Sequence, residues 1–404
     1  MRKVLVGVTA VLLVLAMTLA FMELVLRVMP SLISVAVLER MHPSLRSEIG
    51  GQLGLPTAGE YVVIESAQRS DGGPDLFISK PNQSWSRPVD DADRSHGAID
   101  TYTMDGRGFC NPPELASLPS VDVVTVAGSV PNCSSVDAER VFSAQLGDVL
   151  STSSYNLAVP GVGPYEYNEV LSRYVDNLRP RVVIFAISEA NDLRDIQRYL
   201  DHVAGKGRER KGKLGGPFRY SYVLAFIKAG IEALVRQASA SSRPNFRYSV
   251  NSGGERIAMN IGNGDGDELR SAQDLLAGKL SPDLYEAPLR RFVDLSKQYN
   301  FVPVVIYVPA AYTVYQPGIA FEDPSISEAM AAYNKIQSDW LADEAASIGY
   351  RFVDATSALQ AKGAEAPLLY FPSDMHLTAA GHRALAEAVQ GEVRSALDQI
   401  QRSP

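Results

Sequence analysis

Ser373-Asp374-Met375-His376 sets a carboxylate and an imidazole side by side, nearly 250 residues downstream of Ser129, a serine that follows the short run Val124-Thr125-Val126-Ala127-Gly128. An imidazole can take the proton of a serine hydroxyl, and a carboxylate can hold that imidazole in the tautomer the transfer needs. The chemistry on offer is attack of a hydroxyl on an acyl carbonyl, which hydrolyses or transfers an ester. Such a reaction also needs hydrogen-bond donors for the oxyanion that forms. Asn156-Leu157-Ala158-Val159-Pro160-Gly161 ends on a glycine, whose N–H can meet a substrate with no Cβ in the way. Glu189-Ala190-Asn191-Asp192 brings a side-chain amide. The candidate site is therefore Ser129 as nucleophile, His376 as base, Asp374 as its carboxylate partner, and Gly161 and Asn191 as oxyanion-hole donors. Each segment alone has an ordinary structural reading: serines commonly follow strands, and His376 could merely tie a loop to a helix start. Asp192 is read as a cap of the following helix, and His382 as structural.

These residues need elements that bring them together, and the pattern supplies them. Short apolar strands (Val121–Val126, Tyr155–Val159, Arg181–Ile187, Val302–Val308, Arg351–Asp354) alternate with helical stretches, at about residues 138–150 and then Tyr165–Asn177, Ala287–Tyr299, Ser325–Ile348 and Thr378–Ile400. The alternation predicts a doubly wound parallel α/β sheet with helices on both faces. Ligands of such sheets bind beyond the carboxyl ends of the strands, so Ser129, Gly161 and Asn191 are expected on one rim. Tyr307 and the Tyr312–Tyr315 stretch follow another strand and could line the cleft or pack the rim. Residues 201–284 interrupt the alternation as an insertion. It contains a basic patch from Lys206 to Lys213, an apolar segment from Phe218 to Val235 read as an amphipathic helix on the domain or membrane surface, and an acidic tract, Asn263 to Glu268, read as a solvated turn rather than a calcium loop.

Together the four blocks resemble the SGNH hydrolases, also called the GDSL esterase and lipase family, over roughly residues 120–200 and 300–395. The resemblance implies a flavodoxin-like three-layer fold, with Ser129 in the place of the nucleophile, Gly161 and Asn191 in the oxyanion hole, His376 as base and Asp374 as its partner. The family's Gly-Asp-Ser is here Ala127-Gly128-Ser129, and a later glycine is replaced by Cys133. The usual Asp-x-x-His is here Asp-x-His, a spacing similar to that of SGNH-like proteins that acetylate bacterial exopolysaccharides, although in those the pair precedes the serine. Glu189 stands where the family often has glycine, and could narrow the site or charge it.

Residues 1–29 read as a membrane anchor: Arg2-Lys3, then an apolar run from Val4 to Met22, long enough to span a bilayer's hydrocarbon core. The two basic residues would hold the N-terminus in the cytoplasm and leave the rest outside. The competing reading is a signal peptide cleaved after Thr18-Leu19-Ala20. Residues 30–113 read as a stem, broken by Pro43, Gly50, Gly51 and Pro56, and a small β-rich lead-in. Residues 114–404 form the catalytic domain. Cys110 and Cys133, the only cysteines of the 404 residues, could pair in an oxidising compartment or remain separate buried thiols. A net charge of −8 argues against a general nucleic-acid binder. Neither metal nor other cofactor is expected.

The expected function is a membrane-anchored serine esterase or O-acyltransferase of the cell inner membrane, facing the periplasm or exterior. Its substrate would be the acyl, above all acetyl, esters of an envelope or exported polysaccharide, or of a lipid. The alternatives are a catalytically inactive polysaccharide-binding or assembly factor of the same fold, and a membrane-surface lipase.

Overall fold

In a computed structural model of the chain, the described residues are 2–33, 35–38, 41, 43–53, 61–69, 71–88, 99–133, 136–206, 220–228, 230–231, 248–252, 254–259, 265–321, 325–364, 368–372 and 376–401. Three helices, α1 (Arg2–Val28), α2 (Val35–Leu38) and α3 (Pro43–Leu53), precede two antiparallel strand pairs. These are β1 (Tyr61–Ile64) with β2 (Leu76–Ser79), and β3 (Ser84–Pro88) with β4 (Ile99–Thr103). The main alternation follows: β5 (Val123–Val126), α4 (Phe142–Leu150), β6 (Ser154–Asn156), α5 (Pro164–Leu178), β7 (Val182–Ser188) and α6 (Asp192–Val203). Residues 222–228 and 230–231 are helical. Next come β8 (Tyr248–Ser252), β9 (Glu255–Met259), α7 (Asp265–Leu276), α8 (Glu286–Tyr299), β10 (Val302–Val308), α9 (Ala311–Val314) and β11 (Ala320–Phe321). The chain closes with α10 (Ser325–Ile348), β12 (Arg351–Asp354), α11 (Thr356–Gly363) and α12 (Ala379–Gln401).

The central sheet is parallel throughout, in the order β12-β10-β7-β5-β6. Every residue of β5 and β7 is buried, which is why these strands read as unbroken apolar runs. Helices α4 and α12 pair with each other, as do α5 and α8, giving the three layers the alternation requires. In chain order the strands lie 2-1-3-4-5. The chain leaves β5 towards β6 on one side and returns to β7 on the other, so the topological switch point falls between β5 and β7.

Outside the sheet, several expectations are revised. Residues 43–53 are helical rather than a broken stem. Pro43 takes the first helical position, where its missing N–H is not needed, and tertiary burial of Leu45 and Ile49 overrides the low helical preference of Gly50 and Gly51. These side chains join Leu26, Ile33, Leu38, Met41, Tyr222, Val223 and Ala225 in a small core separate from that of the sheet. The acidic tract is a helix start from Asp265, with residues 263–264 outside the described residues; Glu268, on its first turns, is buried. Of the basic patch, residues 207–213 also lie outside the described residues. The strand β8 pairs with β9 on one side and β11 on the other in a three-stranded antiparallel sheet.

Candidate active site

Ser129 lies just beyond the carboxyl end of β5 and is half-buried. Pairing between the β5 and β6 segments continues past the strands: Leu157 N–H donates to Thr125 O at 2.8 Å and Val159 N–H to Ala127 O at 3.0 Å. The Pro160-Gly161 turn is thereby held beside the serine. The space a side chain at position 128 would need is taken, since a Cβ there would lie 2.9 Å from the Tyr167 hydroxyl and 3.2 Å from Val162 O. Glycine where the SGNH pattern has aspartate is thus a packing requirement of this chain. Tyr167 in turn donates to Asp192 at 2.8 Å.

After Ser129 the chain turns, with Asn132 N–H bonded to Ser129 O at 3.1 Å, and Cys133 is joined to Cys110 in a disulfide. The next described helical residue is Ala138, where the helical stretch expected at about residues 138–150 begins. The bridge to Cys110 ties this turn to the lead-in, whose Asp105–Asn111 segment is buried against β6. Asp105 accepts from the N–H groups of Arg107 and Phe109, from Asn111 and from the Tyr155 hydroxyl. Asn111 exchanges side-chain bonds of 3.0 and 2.7 Å with the Asn156 backbone.

Gly161 is exposed, with open space around its α-carbon, and adopts φ +79°, a conformation that favours glycine. Asn191 stands at the entry to α6, half-buried, and donates through Nδ2 to Asp195 Oδ2 at 2.7 Å. An amide has two such protons, so one remains for another acceptor. The other Asp195 oxygen pairs with Arg198 at 2.6 Å, and the aspartate also fills the space beside Gly163. Burial pushes the Asp195 carboxyl up to about 6 despite the opposing pull of Arg198 and Asn191. Glu166 receives the Gly163 N–H at 3.2 Å, and burial pushes it up to about 7. Asn191 is thus backed by a buried carboxyl, and a second buried carboxyl holds Gly163, two residues after Gly161.

Three expected roles are revised. Glu189 does not enter the cleft: it is fully buried and accepts from Ala310 N–H, Thr313 Oγ1 and Asn334 Nδ2, joining the end of β7 to the segment after β10. Burial pushes its carboxyl up to about 7. Asp192 does not cap α6. It reaches back to the Ser188 N–H at 2.9 Å and fixes the strand-to-helix turn. Tyr307, Tyr312 and Tyr315 are core residues, and Tyr315 accepts the Leu369 N–H through its hydroxyl at 2.8 Å.

The segment carrying His376 is clamped from several sides. Phe371 N–H bonds His376 O, Thr378 N–H bonds Leu369 O, and Thr378 Oγ1 donates to Leu368 O. Gly381 lets this loop close onto α12, because a Cβ there would fall 2.0 Å from Leu369 O. The Tyr370 hydroxyl reaches Pro309 O beyond β10. Phe371 packs in one apolar cluster with Cys110 and Cys133, so the His376 loop abuts the disulfide that carries the Ser129 turn. His382, fully buried on α12, accepts the Phe142 N–H through Nδ1 at 3.0 Å. Burial, reinforced by nearby His376, pushes its imidazole down to about 3. His376 itself is half-buried, and Asp374 lies outside the described residues.

Ser129, Gly161 and Asn191 accordingly follow three neighbouring strands on one rim, at the switch point. Sequence reading passed over Asp195, Glu166 and Tyr167. Asp195 had a usable signal, four residues after Asn191 on a helix and so on the same face; Glu166 had one too, the third helical residue after a Gly-Pro start.

No protein-family model matches the sequence, and no curated protein matches it. Among solved structures, the chain is similar to TesA, with 11% identity over 68% of this chain and 99% of that one and a TM-score of 0.34. It is similar to a GDSL-like lipase from Bacteroides thetaiotaomicron, with 13% identity, 70% and 95% coverage and a TM-score of 0.34. It is also similar to a catalytic mutant of an acetylxylan esterase from Geobacillus stearothermophilus, with 13% identity, 68% and 95% coverage and a TM-score of 0.35.

Proposed function

We propose that this chain is a membrane-anchored serine esterase or O-acyltransferase that acts on acyl esters, acetyl above all, of a cell-envelope or exported polysaccharide. The observation that carries the reading is the convergence of Ser129, Gly161 and Asn191 at the carboxyl ends of adjacent strands on the switch-point rim, with the His376 loop packed against the disulfide of the Ser129 turn. In this reading His376 takes the Ser129 proton as Oγ attacks the acyl carbonyl, and Asp374 is the carboxylate the motif offers to the imidazole. The oxyanion is held by the free Asn191 Nδ2 proton and the N–H groups of Gly161 and Ser129. Protonated His376 then gives its proton to the departing alkoxide, leaving an acyl-enzyme. Water completes hydrolysis, or a sugar hydroxyl completes transfer.

The anchor is the helix Gly7–Val28, which is long and apolar enough to cross a bilayer and is buried in the fold only at its end, where Leu26 joins the small core. It would remain uncleaved in the inner membrane, with the catalytic domain on the periplasmic or outer side. Replacing Ser129 with Ala tests the catalytic assignment: turnover of an acetyl-ester probe should fall by at least ~10³-fold while the melting temperature holds. Retained turnover would sink it.

A further inference from the structure

The inference concerns residues 220–231 and rests on the reading of α1 as a retained membrane anchor. This segment is docked onto the last turns of α1 by charge as well as by packing. The Glu23 carboxylate accepts from Ser221 Oγ at 2.8 Å, Tyr222 N–H at 3.2 Å and Val223 N–H at 3.0 Å, so a residue of α1 caps the start of the later helix. Arg27 donates to Tyr220 O at 2.6 Å, and its guanidinium lies 4.6 Å from the Tyr222 ring centre. Tyr222, Val223 and Ala225 face inward, in one small core with Leu26.

Among the described residues, nothing covers the opposite face in this way. Tyr220, Ile227 and Ile231 are 71%, 38% and 54% exposed, and Leu224 between them is half-buried. Spacings of three and four residues put Leu224, Ile227 and Ile231 on one helical face, with Tyr220 in the turn just before the helix. The depth of this face follows from its attachment. Glu23 lies five residues before the end of the apolar stretch Gly7–Val28, about 8 Å at the helical rise. Whatever depth α1 takes, the start of the second helix lies below the outer edge of its apolar stretch. Leu24 and Val28 of α1 are also exposed, at 59% and 71%, so the apolar surface of the anchor continues into that of the second helix. A lipid leaflet is the partner such a face must meet there, and the four donors on Glu23, Arg27 Nε at 2.8 Å among them, let a charge sit at that depth without an unsatisfied polar group.

We propose that residues 220–231 form a second membrane contact, an interfacial helix seated beside α1 with Tyr220, Leu224, Ile227 and Ile231 in the acyl region of the outer-side leaflet. One span alone would let the catalytic domain swivel. Two contacts fix its tilt and the height of the Ser129 rim above the bilayer.

The full chain, reconstituted in vesicles of phosphatidylcholine with a minority of phosphatidylglycerol, tests this by fluorescence quenching. An environment-sensitive dye is placed through Ile227→Cys or Ile231→Cys, with Leu13→Cys in mid-anchor and Lys297→Cys on the exposed face of α8 as references; all four replaced side chains are exposed within the fold, and the Cys110–Cys133 pair stays oxidised. Dyes at 227 and 231 should be quenched several-fold more than the dye at 297 by lipid-borne nitroxide and be shielded from aqueous iodide. Dyes at 227 and 231 that iodide reaches as freely as at 297, with the dye at 13 quenched from the lipid, would overturn the interfacial helix and leave the anchor standing. A dye at 13 that lipid nitroxide does not reach would overturn both.

Discussion

At the residue scale, Asn191 is the candidate donor whose geometry is best defined. Its Nδ2 is held by Asp195 at 2.7 Å, and Asp195 is held by Arg198, so the amide cannot turn its oxygen towards the substrate without breaking the bond. Asn191→Ala should lower kcat by ~10²–10³-fold with little change in KM, as for loss of one oxyanion-hole donor. Asp195→Ala should lower kcat less. The double variant should be no worse than Asn191→Ala alone, because Asp195 acts through Asn191; steady-state kinetics on an ester probe reads all three, and additive losses would refute the coupling. The positions of Ser129, Gly161 and Asn191 on one rim were legible because each follows a strong strand signal. Their supports were less so. The role of Gly128 depends on Tyr167, thirty-nine residues away in sequence, and the rotation of Glu189 out of the cleft depends on partners from α9 and α10. No local pattern records such contacts.

At the element scale, α12 carries the His376 loop to its place, and the bond from Phe142 N–H to His382 Nδ1 pins α12 to the start of α4. That bond requires a neutral ring, because a protonated Nδ1 is a donor. The folded chain holds the His382 imidazole down to about 3 by burial, whereas the unfolded chain protonates it near 6.5. Between these values the unfolded state binds more protons, so stability is full above pH 6.5 and is lost as pH falls below it. This residue alone should cost about 2 kcal/mol between pH 7 and pH 5. His382→Asn keeps an acceptor near the Nδ1 position without the titration. Denaturant melts at the two pH values should therefore show a smaller acid loss in the variant, and an equal loss would contradict the account. The core strands and long helices were readable to within a few residues, since uniform apolar runs and helical periodicity are local signals. Strand order was not, because it is decided by which faces pack. Nor were α2 and α3, where burial overrides proline and glycine.

At the scale of the whole molecule, the chain gathers its candidate chemistry from segments that begin near residue 105 and end near residue 382. The lead-in is part of this assembly, since its Asp105–Asn111 segment and the Cys110–Cys133 bridge hold the turn after Ser129. The sequence suggested the bridge as one of two options, and it is formed. The end of α1, the segment 33–49 and residues 222–225 of the insertion share a small core of their own, although the sequence pattern divides them among three separate segments. The central claim is that this architecture activates one serine. The most direct test is reaction of the full chain with a fluorophosphonate probe, followed by mass spectrometry of its peptides. The account predicts a single modified residue, Ser129, with labelling lost in His376→Ala although that variant keeps its disulfide and its melting temperature. A folded chain that takes no label, or labels elsewhere independently of His376, would contradict it.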